Sequence, residues 1–406
     1  MQDLESFRRR ARSFLAFYTS AGNDASPDDP RGDRALDRAL TFQRAANAAG
    51  FTGLSVPTRY GGQGLEPAYE AAWREEAGRF PLMTEELSIT LGNCLPTLLE
   101  HGTEAQRLRH GPRILSGEEV WCQLFSEPAA GSDLAGVQTR ALPVLGGWLV
   151  NGQKVWTTLA HRADYGILLA RTDSGAPKHA GLSMLLVRLD APGVETRPIR
   201  QLDGATHFDE VFLTDVFVPA DAVLPPIGGG WRIASAMLHH QRVARAQGQR
   251  GGVHHERTDR LVTAARAQGV IDRITRDQLA RLYSAEVCQS LLMIRSVAAR
   301  TQGADPGPVG SLGKLANALA AQQFANLAWR IIGPDALAWA GAPLGDAAHG
   351  ATPPGAQWAK DALFTLSLSI AGGTNEIQRS IIAERVLGLP REPAVPAAAD
   401  RAALAS

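Results

Sequence analysis

The chain has 406 residues, 41 Lys+Arg against 41 Asp+Glu, 45% hydrophobic residues and 6% aromatics, enough apolar material for a sizeable core, which excludes disorder and a fibrous fold. A formal net charge of zero gives no electrostatic reason to bind nucleic acid or an anionic membrane, leaving small molecules and chains of its own kind as partners. Cys94, Cys122 and Cys288 are scattered and lack Cys-x-x-Cys spacing, against a disulfide framework or a zinc site and in favour of a reducing cytoplasm.

The arginine-rich start carries Asp3 and Glu5, acids that transit peptides avoid, and no apolar run approaches the ~20 residues needed to cross a bilayer. A soluble protein whose first helix begins almost at Met1 is expected. Over 1–118 apolar residues recur at helical spacing in Ala35 to Ala49, Tyr69 to Ala77 and Leu87 to Leu99, with loops such as Val56 to Gly64 between them. Over 119–226 short runs rich in β-branched and aromatic residues predict strands from Trp121 on, at Gly147 to Val150, Lys154 to Thr157, Tyr165 to Ala170, Ser183 to Arg188 and Glu210 to Val218. Asn151-Gly152 is expected to turn a hairpin between the second and third of these runs. Over 227–390 the helical period returns in Arg232 to Gln247, Arg257 to Ala267, Arg276 to Arg300, Gly310 to Ile332, Ala356 to Ile370 and Asn375 to Val386. The Ala- and Pro-rich 391–406 reads as a tail. The class is therefore α+β: an N-terminal helical domain, a central β domain and a C-terminal helical bundle.

No Rossmann fingerprint is present, since Gly228-Gly229-Gly230 follows Pro225-Pro226 rather than a βαβ strand. The most specific segment is Trp121 to Asp133, a strand running into a Pro/Gly turn dense with hydroxyls. Such a turn presents N–H and O–H groups to a heteroaromatic ring or a phosphate, or else merely ends a strand.

Ser126-Glu-Pro-Ala-Ala-Gly-Ser-Asp133 resembles a signature of the acyl-CoA dehydrogenase superfamily of flavoproteins. The resemblance extends through Tyr60 to Leu65, His101 to Gln106, Asn151 to Thr158, Phe208 to Pro219 and Gly372 to Pro390, in the family's order. It implies helices, a β-barrel-like domain and a four-helix bundle, with FAD at a subunit interface of a homodimer or homotetramer, an acyl thioester substrate, and an electron-transfer partner or a flavin reductase. By motif position it implies FAD contacts from Gln123, Phe125, Ser126, Trp156 and Thr158, and contacts to the ribose and pyrophosphate from Thr374 and Glu376. Ser132 matches a contact to the thioester's carrier arm. The family's Arg-x-x-Phe-Gly contact is matched only by Arg266-Ala-Gln-Gly269, without the aromatic.

In this family a carboxylate removes the proton α to the thioester carbonyl. It stands immediately before the signature's Gly-Thr, where this chain has Gly372, or in a Leu-x-x-Glu-Arg motif, where the chain reads Leu238-His-His-Gln-Arg242. Gly372 and Gln241 thus hold both base positions, and neither is an acid. His239 and His240 flank the second position, with a suitable pKa range for an imidazole, though adjacent helix residues point about 100° apart. Arg242 matches a supporting arginine. Three readings follow: a dehydrogenase with a displaced base, a flavin-dependent monooxygenase or oxidase on the same fold, and a non-catalytic subunit of a hetero-oligomer.

Overall fold

The computed structural model describes residues 3–20, 33–80, 85–247, 255–301, 309–334 and 356–391; the expected tail lies outside them beyond Arg391. The N-terminal helices are α1 (Leu4–Ser20), α2 (Asp33–Ala48), α3 (Pro67–Ala77), α4 (Leu95–His101) and α5 (Glu104–Ser116). An aromatic cluster holds the first three together, with Trp73 stacked on Phe51 at 4.7 Å between centroids. α5 begins with a capping box, in which Thr103 Oγ1 accepts from Gln106 N and the Gln106 side chain accepts from Thr103 N, satisfying two backbone donors at the helix start.

The expected single helix over Leu87 to Leu99 is broken. A 3₁₀ turn (Glu85–Leu87) and a π-helical turn (Thr90–Cys94) precede α4. Thr90 Oγ1 donates to the Trp121 carbonyl at 2.9 Å and accepts from Trp121 N at 3.0 Å, so the turn is stitched to the sheet. Pro96, inside α4, has no N–H with which to continue the preceding ladder.

Eight strands form one sheet: β1 (Trp121–Leu124), β2 (Arg140–Val144), β3 (Gly147–Thr158), β4 (Tyr165–Arg171), β5 (Leu182–Arg188), β6 (Val194–Ile199), β7 (Phe208–Pro219) and β8 (Val223–Leu224). Their order is β6-β7-β3-β2-β4-β5-β8, with β1 pairing parallel to β4. The hairpin expected at Asn151-Gly152 is not there. The turn lies at Leu145 and Gly146, where Gly146 has φ +81°, and β3 runs unbroken through Asn151 and Gly152. Asn151 instead exchanges two 2.9 Å hydrogen bonds with Asp215 on β7. A Cβ at Gly152 would stand 2.3 Å from Thr139 Oγ1, so the glycine serves close packing rather than a turn.

The C-terminal helices are α6 (Gly230–Gln247), α7 (Glu256–Ala267), α8 (Arg273–Thr301), α9 (Val309–Ile332), α10 (Ala356–Ser367) and α11 (Asn375–Arg385). α9 is central, touching α6, α7, α8, α10 and α11, as its alanine-rich, widely buried sequence requires. Cys94 and Cys122 are buried, with Cys94 Sγ 3.7 Å from the Cys122 carbonyl, while Cys288 on α8 is exposed. Burial pushes both inner thiols up. None of the described helices is long and apolar enough to cross a membrane.

Candidate functional site

β1 delivers Gln123, Phe125 and Ser126 to the start of the Pro/Gly turn. Phe125 is buried and the Gln123 amide oxygen accepts from Asn93 Nδ2 at 3.2 Å, so both act from the interior. The turn is fixed by a buried ion pair. Lys154 Nζ, fully enclosed, donates to Glu127 Oε1 at 2.8 Å, to the Phe125 carbonyl at 3.0 Å and to the Leu169 carbonyl at 2.8 Å. The Glu127 carboxylate also accepts from the backbone N–H groups of Gln138 and Thr139. Burial opposes ionisation of Glu127, yet the Lys154 charge and these hydrogen bonds outweigh it and hold the carboxyl below its usual range. Desolvation pulls Lys154 down to about 8 despite Glu127. Sequence reasoning missed this pair; the Glu of the turn motif and the Lys two residues before Trp156 were its only signals.

Ser126 then accepts at its carbonyl from Val155 N at 2.9 Å, bringing the turn alongside the bulged end of β3. There the register with β7 shifts between Lys154 and Thr157, and Trp156 takes φ +60°, a left-handed conformation that costs a bulky residue strain. Its indole faces outward, 58% exposed, in an edge-to-face contact with Phe208. Thr158 follows, half-buried. Ser126, Trp156 and Thr158 are therefore brought together, whereas Ser132 sits farther along the turn, exposed, next to an Asp133–Lys178 ion pair.

The C-terminal signature is a helix start. Gly372 and Gly373 have φ +72° and +92°, and Gln378 Nε2 donates to the Gly372 carbonyl at 3.1 Å. Thr374 Oγ1 accepts from Ile377 N at 3.2 Å, capping α11. Glu376 is exposed and pairs with Arg379 at 3.2 Å. α11 packs on α9, and Thr374 and Glu376 make these contacts within their own turn.

On α6, Gln241 is half-buried, and the Arg242 side chain lies outside the described residues. His240 Nε2 lies 2.9 Å from Glu100 Oε2 on α4, and the neighbouring His101, half-buried, has Nε2 3.4 Å from Glu100 Oε1. Desolvation keeps His101 below the ordinary imidazole range. His240 also lines a cleft of about 520 Å³ that opens among α2, α3, the 51–57 loop and the segment from Leu91 to Leu99.

The chain matches the family models described as the N-terminal, middle and C-terminal domains of acyl-CoA dehydrogenase over residues 1–118, 122–216 and 228–387. The chain belongs to the acyl-CoA dehydrogenase family. It is 40% identical over 400 residues to acyl-CoA dehydrogenase IpdE1 of Mycobacterium tuberculosis, covering 97% of this chain and 99% of that one. Among solved structures it is similar to the Tcur3481-Tcur3483 steroid ACAD, with a TM-score of 0.78 and 27% identity over 96% of this chain and 100% of that one. It is also similar to the ChsE4-ChsE5 complex of M. tuberculosis, with a TM-score of 0.74 and 27% identity over 97% and 99%.

Acyl-CoA dehydrogenases use FAD, and the residues present fit it. The Trp156 indole is held outward, 58% exposed, on strained backbone at the end of β3 that the Ser126 carbonyl meets through Val155 N and that also carries Thr158. When bound, FAD supplies the acceptor for a hydrogen and its electron pair. The chain's own part is to orient the flavin's polar edge and exclude water. Among the described residues no cluster of His, Cys, Asp and Glu could hold a metal ion.

Proposed function

We propose that this acyl-CoA dehydrogenase acts on a steroid-type acyl thioester as one of two unlike chains, with His240 accepting the α-proton in place of the usual carboxylate. The observation that carries the reading is the His240–Glu100 contact of 2.9 Å at the wall of the cleft, one residue from Gln241. With Nε2–H donating to Glu100, Nδ1 is the basic atom. The α C–H pair becomes the Cα=Cβ bond and the α-proton goes to Nδ1, while FAD, when bound, would accept the β-hydrogen with its electrons. Ser126, Trp156 and Thr158 hold the flavin ring, Ser132 meets the carrier arm, and Thr374 and Glu376 act on the FAD of a neighbouring chain.

The test is exchange of the acyl-CoA α-proton with D2O, followed by NMR, in wild type and in His240→Ala, with and without added imidazole. Loss on substitution and recovery with imidazole support the assignment; undiminished exchange in His240→Ala refutes it. A second reading is favoured by the absence of an acid at both Gly372 and Gln241 and by the paired chains of the similar Tcur3481-Tcur3483 and ChsE4-ChsE5 structures: the chain lacks a base and its partner carries one. In that case the chain alone exchanges nothing, while co-expression with an unlike acyl-CoA dehydrogenase chain bearing the glutamate gives an active pair.

A further inference from the structure

The end of β3 that carries Trp156 and Thr158 is held by more than its ladder with β7. Two non-glycine residues there adopt left-handed backbone, Trp156 at φ +60° and Leu159 at φ +50°, a conformation that persists only where the surroundings over-determine it. The segment after Thr158 supplies that constraint. Leu159 is buried with Leu36, Ala39 and Leu40 of α2, and its N–H donates to the His207 carbonyl at 3.1 Å. The 3₁₀ turn Ala160–Arg162 then sets His161 between two carboxylates. Its backbone N–H donates to Asp209 Oδ2 at 3.2 Å, its Nδ1 lies 2.8 Å from the same oxygen, and its Nε2 lies 2.9 Å from Asp33 Oδ1. Asp209 is fully buried and stands next to Phe208, opposite Thr157 in the β3–β7 register, while Asp33 begins α2.

A neutral imidazole has one N–H to donate and would turn the lone pair of its other nitrogen toward a carboxylate; the imidazolium satisfies both. The charges on the packed elements favour that form. Asp33 and Asp37 on α2, which also carries Arg34 and Arg38, and Asp209 on β7 meet His161 and Arg162, three acids against two cations. Elsewhere on these elements, Glu195 and Arg197 of β6 pair with each other at 2.7 Å, Glu210 of β7 accepts from Gln153, and His207 stands 3.6 Å from Glu86. Burial opposes the proton on His161, yet the two aspartates outweigh it and hold the imidazole above its ordinary range. Resting on the reading that Trp156 and Thr158 hold the flavin ring, we infer that His161 is a positioning residue for the cofactor: bridging Asp209 and Asp33 with both ring nitrogens, it keeps the Trp156–Leu159 backbone in the shape that receives FAD. Loss of its second proton therefore weakens FAD binding. The tight form is fully present below the unfolded imidazole value of about 6.5 and is lost as pH rises through the folded one.

The experiment is titration of the deflavinated protein with FAD, together with its partner chain if one co-purifies, followed by quenching of flavin fluorescence from about pH 6 to about pH 9. Circular dichroism confirms folding at each pH. In wild type the dissociation constant should rise about threefold to tenfold across this range. Lys154, pulled down to about 8, titrates in the same window, so the deciding variant is Asp33→Asn, which acts through His161. Removing that half-exposed carboxylate should move the rise to lower pH, and His161→Gln should start from the weaker affinity even at the acid end. Trp156→Ala is measured alongside. The inference is overturned if the wild-type dissociation constant is level over this range, or if the Asp33→Asn profile superposes on that of wild type. If Trp156→Ala binds FAD as wild type does, the placement of the flavin has failed and the inference falls with it. If Trp156→Ala weakens binding while the Asp33→Asn and wild-type profiles coincide, the placement stands and the role of His161 alone is refuted.

Discussion

Trp156 shows what a single residue's backbone can do. A tryptophan with φ +60° inside a strand is strained, and the bulge that holds it there leaves the indole facing outward. Trp156→Ala should therefore weaken FAD binding more than Thr158→Val, because the first removes a large ring contact and the second one hydrogen bond worth roughly 0.5 to 1.5 kcal/mol; equal dissociation constants by fluorescence titration would contradict this. Beneath it, Lys154 and Glu127 form a pair in which neither member is dispensable alone. Lys154→Met should destabilise the protein by about 3–5 kcal/mol, since it strands a buried carboxylate, and urea unfolding measures it. Restoring an acid at the base positions separates the two sites. Gln241→Glu is helix-compatible and should create or raise acyl-CoA-driven flavin reduction, whereas Gly372→Glu forces φ +72° on a side chain, a conformation costing about 1–2 kcal/mol. Stopped-flow reduction distinguishes them. At this scale the sequence singles out Ser126, Trp156 and Thr158, and the structure sets the Ser126 carbonyl against the end of β3 that carries the other two. The sequence does not single out Lys154, because an ammonium at full burial contradicts every expectation drawn from residue type.

Among the elements, α2 is tied to the β domain through charge. His161, just past β3, has Nδ1 2.8 Å from Asp209 and Nε2 2.9 Å from Asp33, while Arg162 donates to Asp37 at 2.6 Å and lies 3.4 Å from Asp33. Burial opposes charging of His161, but hydrogen bonds and charge from Asp209 and Asp33 outweigh it and raise its pKa. A raised pKa in the folded state stabilises fully below the unfolded imidazole value of about 6.5 and is lost as pH rises through the folded value. The melting-temperature advantage of wild type over His161→Gln should thus shrink as pH rises above about 6.5. An advantage that grows with pH would reverse the assignment. Long helices such as α9 were legible from their period. β2 and β6 were missed, being short and largely exposed, and the Asn151-Gly152 hairpin was misplaced because the turn signal competed with a packing role for Gly152.

For the whole molecule, the C-terminal region leaves large apolar residues exposed, Leu291 and Ile294 on α8, Leu366 on α10 and Ile370 just past it, surface that a second chain could cover. Light scattering should show dimers or tetramers of the FAD-loaded protein at micromolar concentration, and a monomer would count against the paired arrangement. Whether the second chain is like or unlike this one follows from FAD content, one per two chains marking an unequal pair and one per chain an equal one.

Cysteine placement turns that question into a kinetic readout. Cys94 and Cys122 are shut away, and their thiols are held in the protonated, unreactive form. Cys288 stands in solvent one turn before Leu291 on α8. The native protein therefore carries a built-in attachment point, and a thiol reagent such as a maleimide dye should label one position per chain without any engineered cysteine. If α8 faces the second chain, labelling slows as the protein is concentrated, and energy transfer between donor- and acceptor-labelled preparations reports how fast chains exchange.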